Sequence, residues 1–200
     1  MIKFIYLIER FIRFSRILLS SSITHIIFKF KGVVTNGFII FDGIPHISIN
    51  SNKRGNISVG SNCRFNSNKR SNLIGINRKC FISIHNKNAN IHIGDNCGFS
   101  STSIGCFTSI QIDDFVQVGA NTLITDSDWH LEDKRVGAPK KVHIKKNAWI
   151  GYNSIILKGV TIGENSIIGA GSVVTRNIPD NVIAAGNPCV VIKKIENFEN

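Results

Sequence analysis

From Ile144 onward, aliphatic residues recur every six positions: Ile150, Ile156, Ile162, Ile168 and Val174 follow without a slip. An α-helix would set residues six apart about 240° round its axis, so they would share no face. A two-sheet sandwich would not hold the count at six. Six is the period of a parallel β-helix, in which each short strand and its turn form one side of a three-sided coil. Four positions after each aliphatic residue stands a mostly small one: Ala148, Ser154, Val160, Ser166, Ser172 and Ile178. Glycine directly follows the aliphatic residue at Gly151, Gly163 and Gly169.

The same pattern recurs upstream with faults. Val59-Gly60 leads to Phe65, Ile93-Gly94 leads to Phe99, and Ile112, Val118 and Ile124 form another run of sixes. Phe41 and Ile47 begin the stack, and its register breaks near 66–73 and 100–110, where turns of other lengths are expected. About seven coils at a strand spacing of roughly 4.8 Å would give a prism about 30–35 Å tall. Composition agrees. Of 200 residues, 35 are Ile, which favours strands, and 22 are Asn, which with Gly tolerates the positive φ of tight corners. Between two intact runs lies the polar segment 126–141, DSDWHLEDKRVGAPKK. A coil that resumes in register after it implies one protruding loop, and long loops on rigid scaffolds usually carry function.

The first residues follow another rule. On a helical wheel Lys3, Glu9, Arg10, Arg13 and Arg16 fall in one arc, and Phe, Ile and Leu fill the other half. This predicts a short amphipathic helix of about 18 residues, ended by Ser20-Ser21-Ser22. It suits a cap on the coil, which repeat folds need, or peripheral membrane contact through residues 1–19.

The net charge of +11 favours anionic partners, but the basic residues are scattered, so no nucleic-acid partner is expected. The five cysteines form no CxxC pair, which argues against a zinc framework and for a reducing compartment. No run of 18 apolar residues and no signal-peptide pattern is present, so neither a transmembrane helix nor secretion is expected.

The end of the repeat carries NAWIG, IGAGSVVTRNIP and AAGNPC between residues 142 and 195. With these motifs the chain strongly resembles the hexapeptide-repeat acyltransferases, which include galactoside, maltose and serine acetyltransferases and polysaccharide O-acetyltransferases. The likeness is tight over the last quarter and looser over 40–195. It implies an all-β, left-handed parallel β-helix, a homotrimer, and acetyl-CoA as co-substrate in the groove between subunits, with no metal required. The three zinc-binding histidines of the γ-class carbonic anhydrases, which share this fold, have no matching trio here.

Acetyl transfer to a hydroxyl needs a base for its proton and donors for the oxyanion. His130, at the root of the loop, resembles the catalytic histidine of the sugar acetyltransferases, and imidazole chemistry suits a base near neutral pH. Asp126 and Asp128 are close enough in sequence for one to orient the ring, Asp128 being favoured. Trp129 is expected to wall the acceptor site. Where those enzymes place an acceptor-contacting asparagine, this chain has Ser100 and Ser101 as candidates instead. Position by position, the resemblance assigns Trp149, Tyr152 and Ala170 to the pantetheine arm, and Thr175, Arg176 and Lys193 to the nucleotide end. Lys158 and Lys194 would add positive charge there, and Pro188 would face the adenine.

These readings divide the chain into an N-terminal amphipathic helical segment (1–30), a β-helix acyltransferase domain (31–195, with loop 126–141) and a tail (196–200). The expected activity is acetyl-CoA-dependent O-acetylation of a sugar hydroxyl in surface polysaccharide, lipopolysaccharide or capsule biosynthesis, with His130 as general base. The setting is the cytoplasm, at the inner face of the cell membrane. Two alternatives stay open: N-acetylation of a nucleotide-linked amino sugar, and a non-catalytic β-helix scaffold.

Overall fold

The computed structural model describes residues 2–49 and 56–196. Apart from one N-terminal helix, its regular structure is β-strand, arranged in three sheets that a single winding chain visits in turn. The first and third sheets hold six strands each, and the second holds eight. All pairings are parallel except the last, where Val182–Gly186 and Cys189–Lys194 form a terminal hairpin. The first and third sheets therefore define six coils, one fewer than the sequence spacing suggested.

The six-residue period maps directly onto this winding. Ile144 and Ile162 pair in the first sheet, Ile150 and Ile168 in the second, and Ile156 and Val174 in the third. All six are at most 1 % exposed. Burying one such side chain contributes about 1.5–3 kcal/mol, so the stacked columns dominate stability. In the second sheet the inward column changes size along the axis: Phe41, Phe65 and Phe99 stack ring on ring, then Val118, Ile150, Ile168 and Ala184 continue it. The small buried residues hold the corners. Ser154 and Ser172 donate to the carbonyl of Gly169 at 3.2 and 2.6 Å.

Asparagine is the corner residue: Asn62, Asn96, Asn121, Asn147, Asn153, Asn165 and Asn181 all adopt positive φ. Glycine serves a different need at Gly151, where a Cβ would lie 2.5 Å from the Ala170 amide nitrogen. Successive turns pack backbone on backbone there, so any side chain would push the coils apart.

Both register faults have structural causes. Phe99 and Ile104 both point inward but are five residues apart, because the turn between them is one residue shorter than its neighbour between Val118 and Ile124. The break at 66–73 is a second outward excursion, between strands Arg64–Asn66 and Phe81–Ile84. Sequence reading gave one protruding loop, and among the described residues there are two. The first is harder to see because it mixes basic residues with the exposed apolar residues Leu73 and Ile74.

The N-terminal helix also differs from expectation. It spans Ile2–Phe30, 29 residues, and the serine run does not end it. Thr24 donates its hydroxyl to the Ser20 carbonyl one turn back at 2.7 Å, so that side chain is satisfied without interrupting the helix. Its second half closes the first coil. Phe28 is buried and meets Phe41 edge-on at 5.2 Å, and Arg16 bonds the buried Asp42 at 2.8 and 3.2 Å. By length and composition alone, Phe4–Phe30 is apolar enough to cross a bilayer, which the search for an unbroken apolar run did not detect. The side chain of Lys3 and the tail beyond 196 lie outside the described residues.

Candidate active site

The loop 126–141 leaves the coil after the third-sheet strand Leu123–Thr125 and returns at Val142–Ile144. Asp126 fixes its root. This carboxylate is fully buried and accepts the backbone N–H groups of Phe107, Thr108 and Ser109 at 2.7, 2.7 and 2.8 Å. It also accepts the Cys106 thiol at 3.4 Å, and burial together with this anion pushes that thiol's pKa up. The Asp126 carbonyl takes the Lys140 N–H at 2.9 Å, so the two ends of the loop are tied together.

Trp129 turns back from the loop with φ 73 and lies over Gly105, where a Cβ would meet its ring at 2.3 Å. The indole sits edge-on to His85 and Phe107, at centroid distances of 4.8 and 5.5 Å. Beneath it, Phe81, Ser83, Ser103 and Leu123 line an apolar recess on the outer face of the third sheet.

His130 follows and projects into solvent, its side chain 78 % exposed. Its Nδ1 is 3.3 Å from Glu132 Oε1. Glu132 has its pKa lowered by a bond to its own backbone and then by His130, so the carboxylate is the stable form beside the ring. Sequence reading offered Asp126 and Asp128 as partners of the imidazole, and the structure gives both carboxylates other work. Asp126 holds the turn described above, and Asp128 is bonded by Lys158, which also donates to the Gly137 carbonyl at 2.8 Å. Lys158, expected among the CoA-binding cations, thus ties the loop to the next coil. Glu132 was not singled out in the sequence, although its position two residues beyond the histidine was the available signal.

The expected CoA residues divide between two edges. Thr175 and Arg176 are exposed at the corner following the third-sheet strand Val173–Val174, one coil beyond Lys158 and two beyond the loop of His130. Trp149 instead projects from the second sheet, 57 % exposed, in register between Gln117 and Ile167. That column continues to Ile183 and Lys193. Tyr152 and Ala170 sit at the neighbouring corner between the second and third sheets, where the Tyr152 carbonyl accepts the Gly171 N–H at 2.7 Å. Pro188 is exposed at the terminal hairpin turn. The face of the third sheet separates the two groups.

Ser100 and Ser101 also part company. Ser101 is fully buried and donates to the Arg78 carbonyl at 2.6 Å, so it belongs to the turn. Ser100 accepts from the side chains of Asn66 and Asn72 at 3.0 and 3.1 Å. These three, with Arg64, Gln117 and Trp149, line a groove of about 380 Å³ on the second sheet. Asn66, Asn72 and Gln117 were not foreseen. Only the coil register reveals that they share a face with Trp149.

The comparisons with known proteins agree with this architecture. Residues 141–176 match the family model described as bacterial transferase hexapeptide (six repeats). The chain is 44 % identical over 97 residues to the galactoside O-acetyltransferase of Lactococcus lactis subsp. lactis (strain IL1403), covering 46 % of each chain. A putative acetyltransferase of Staphylococcus aureus (strain COL) is 57 % identical over 56 residues, 28 % of each chain. The chain therefore spans less than half the length of these curated relatives. Among solved structures, a galactoside acetyltransferase in complex with coenzyme A superposes with a TM-score of 0.53 at 35 % identity, covering 69 % of this chain and 64 % of that one. An AntD N-acyltransferase from Bacillus cereus, in complex with dTDP and coenzyme A, shares the fold at TM-score 0.62 and 24 % identity, covering 84 % and 88 %. The protein is thus a three-sided parallel β-coil built on hexapeptide repeats. Over residues 141–176 it carries the bacterial transferase hexapeptide repeat, and it is similar to the galactoside acetyltransferases.

Proposed function

We propose that the protein is an acetyl-CoA-dependent O-acetyltransferase acting on a sugar hydroxyl, with His130 as general base. The observation that carries this is His130 itself: exposed at the tied root of the loop, with Nδ1 facing the Glu132 carboxylate. In this reading Glu132 holds the Nδ1–H tautomer and leaves Nε2 as the base. Nε2 takes the acceptor's hydroxyl proton while the oxygen attacks the acetyl carbonyl carbon. The tetrahedral intermediate then collapses, the C–S bond breaks, and the proton passes from the imidazolium to the CoA thiolate. No metal enters these steps.

The likeness to a galactoside acetyltransferase that binds coenzyme A supports the donor. The division of Trp149, Tyr152, Ala170 and Lys193 from Thr175 and Arg176 supports a left-handed homotrimer with acetyl-CoA between subunits, since a neighbour's loop edge set against the second sheet would complete the set. Ser100 and the side-chain amides of Asn66, Asn72 and Gln117 around it suit a sugar, which needs many polar contacts. Orientation of His130 by Asp128 is withdrawn from this proposal in favour of Glu132, and Trp129 keeps its place as a wall beside the base. Surface polysaccharide, lipopolysaccharide or capsule assembly in the cytoplasm is the setting we favour, and five free, buried cysteines suit a reducing compartment.

The test is thiol release from acetyl-CoA with a panel of oligosaccharides and nucleotide sugars. Turnover with a hydroxyl-only acceptor supports the reading. Turnover confined to free amines would move it to N-acylation, and no turnover with any acceptor would favour a scaffold.

A further inference from the structure

The N-terminal helix is docked back to front. In water an amphipathic helix packs its apolar stripe inward. Here Arg16, Ser20, Ser21 and Thr24 face the coil, beside Phe28 and the half-buried Ile17 and Ile27. Arg16 bonds Asp42, the Ser20 hydroxyl donates to the Phe41 carbonyl, and the Phe41 N–H donates to Ser21 at 3.0 Å. Among the buried helix side chains, only Phe28 is large and apolar. On a wheel of 100° per residue, the residues turned away from the prism are Phe4, Ile8, Phe11, Leu18, Leu19 and Ile26. Each is exposed, Phe11 by 71 % and Leu19 by 65 %. The stripe runs about 33 Å along the helix, at 1.5 Å per residue. Only the small side chains of Ser15 and Ser22 interrupt it, and an exposed, mostly apolar face of this length marks an interaction site.

We infer that this stripe lies in the interface of an anionic lipid bilayer, with the helix parallel to the surface and the β-coil held beneath it. Charge selects this occupant. Residues 1–41 contain six Lys and Arg against one acidic residue, Glu9, and the whole chain carries +11. A second copy would bring the same net positive charge, whereas anionic headgroups complement Lys29, exposed on the outward face, and the positive charge of the helix as a whole. The grip of Arg16 and Arg13 on Asp42 prevents the helix from standing upright across the membrane while the cap is in place.

Binding of the full chain to sedimented vesicles tests this, with phosphatidylcholine alone compared against phosphatidylcholine mixed with phosphatidylglycerol. The expected result is binding to the mixed vesicles at least about ten-fold tighter, weakened by salt and reversed by a high-salt wash. The double variant Phe11→Asp, Leu19→Asp should bind at least about ten-fold more weakly with an unchanged melting temperature, because both side chains already face solvent. Three outcomes would overturn the proposal. One is indifference of the wild-type chain to anionic lipid, or equal binding by the variant. Another is release by detergent alone, which would mean a spanning helix. The third is a lowered sedimentation coefficient for the variant, which would make the stripe a contact between copies.

Discussion

The ammonium of Lys158 rests on the carboxylate of Asp128, thirty residues away in sequence, two residues before His130. The same ammonium donates to Gly137 at 2.8 Å, so one cation from the next coil ties both limbs of the loop. The loop's rigidity therefore depends on tertiary contacts at its base, since the residues around its tip are solvent-exposed.

Lys158→Met should lower kcat by about ten-fold through misplacement of His130, as small displacements of a base do. It should leave the shape of the pH–rate profile unchanged, because the base is still present. Steady-state kinetics across pH checks this, and an unchanged kcat would mean that the loop holds its shape without the cation.

His130→Ala should cost a factor of about 10²–10⁴ in turnover, the usual loss with a general base. Circular dichroism and melting should match the parent, because the side chain makes no buried contact. Near-parental thiol release would remove His130 from the mechanism.

Asp126→Ala strands three backbone donors in the interior, and the expected loss of stability is about 3 kcal/mol or more. Urea denaturation gives the value directly. A midpoint equal to the parent's would show that those N–H groups need no carboxylate.

Arg176→Glu should weaken coenzyme A binding roughly three- to ten-fold at low ionic strength and less at high salt, as expected for an exposed charge facing a phosphate. The acceptor KM should hardly move. Titration calorimetry at two salt concentrations separates these, and equal affinity at low salt would detach Arg176 from the nucleotide end.

The native protein should react slowly with a thiol reagent at pH 8, because all five thiols are shielded from the reagent and burial also pushes those of Cys80 and Cys106 up. All five cysteines are buried, so five equivalents should appear only on denaturation. Rapid reaction of several thiols in the folded state would mean that the corners open easily.

Some of this was legible because it is local. A coil that returns every six residues must repeat its inward side chain every six residues, so Ile144 to Val174 announce the prism, and the asparagines announce its corners. The motifs NAWIG and AAGNPC carried the family for the same reason: each residue answers to a neighbour one coil away at fixed register. The loop at 126–141 stood out because charge interrupted an apolar rhythm between two intact runs, whereas 67–80 showed only as a break in register because Leu73, Ile74 and Ile76 continue the apolar pattern through it.

What only the folded chain decided concerns partners far apart in sequence. Asp126 and Asp128 look alike beside His130, yet one is buried under three amides and the other is held by Lys158. Nothing local distinguishes them, because burial is set by the turn at 107–109 and the coil beyond. The helix gives the sharpest case. Its wheel fixed two opposed faces, but which face meets the prism depended on the buried carboxylate of Asp42 and the open backbone of Phe41. A buried charge must be paired, and that requirement turned the arginine and serine side inward and left the apolar side out.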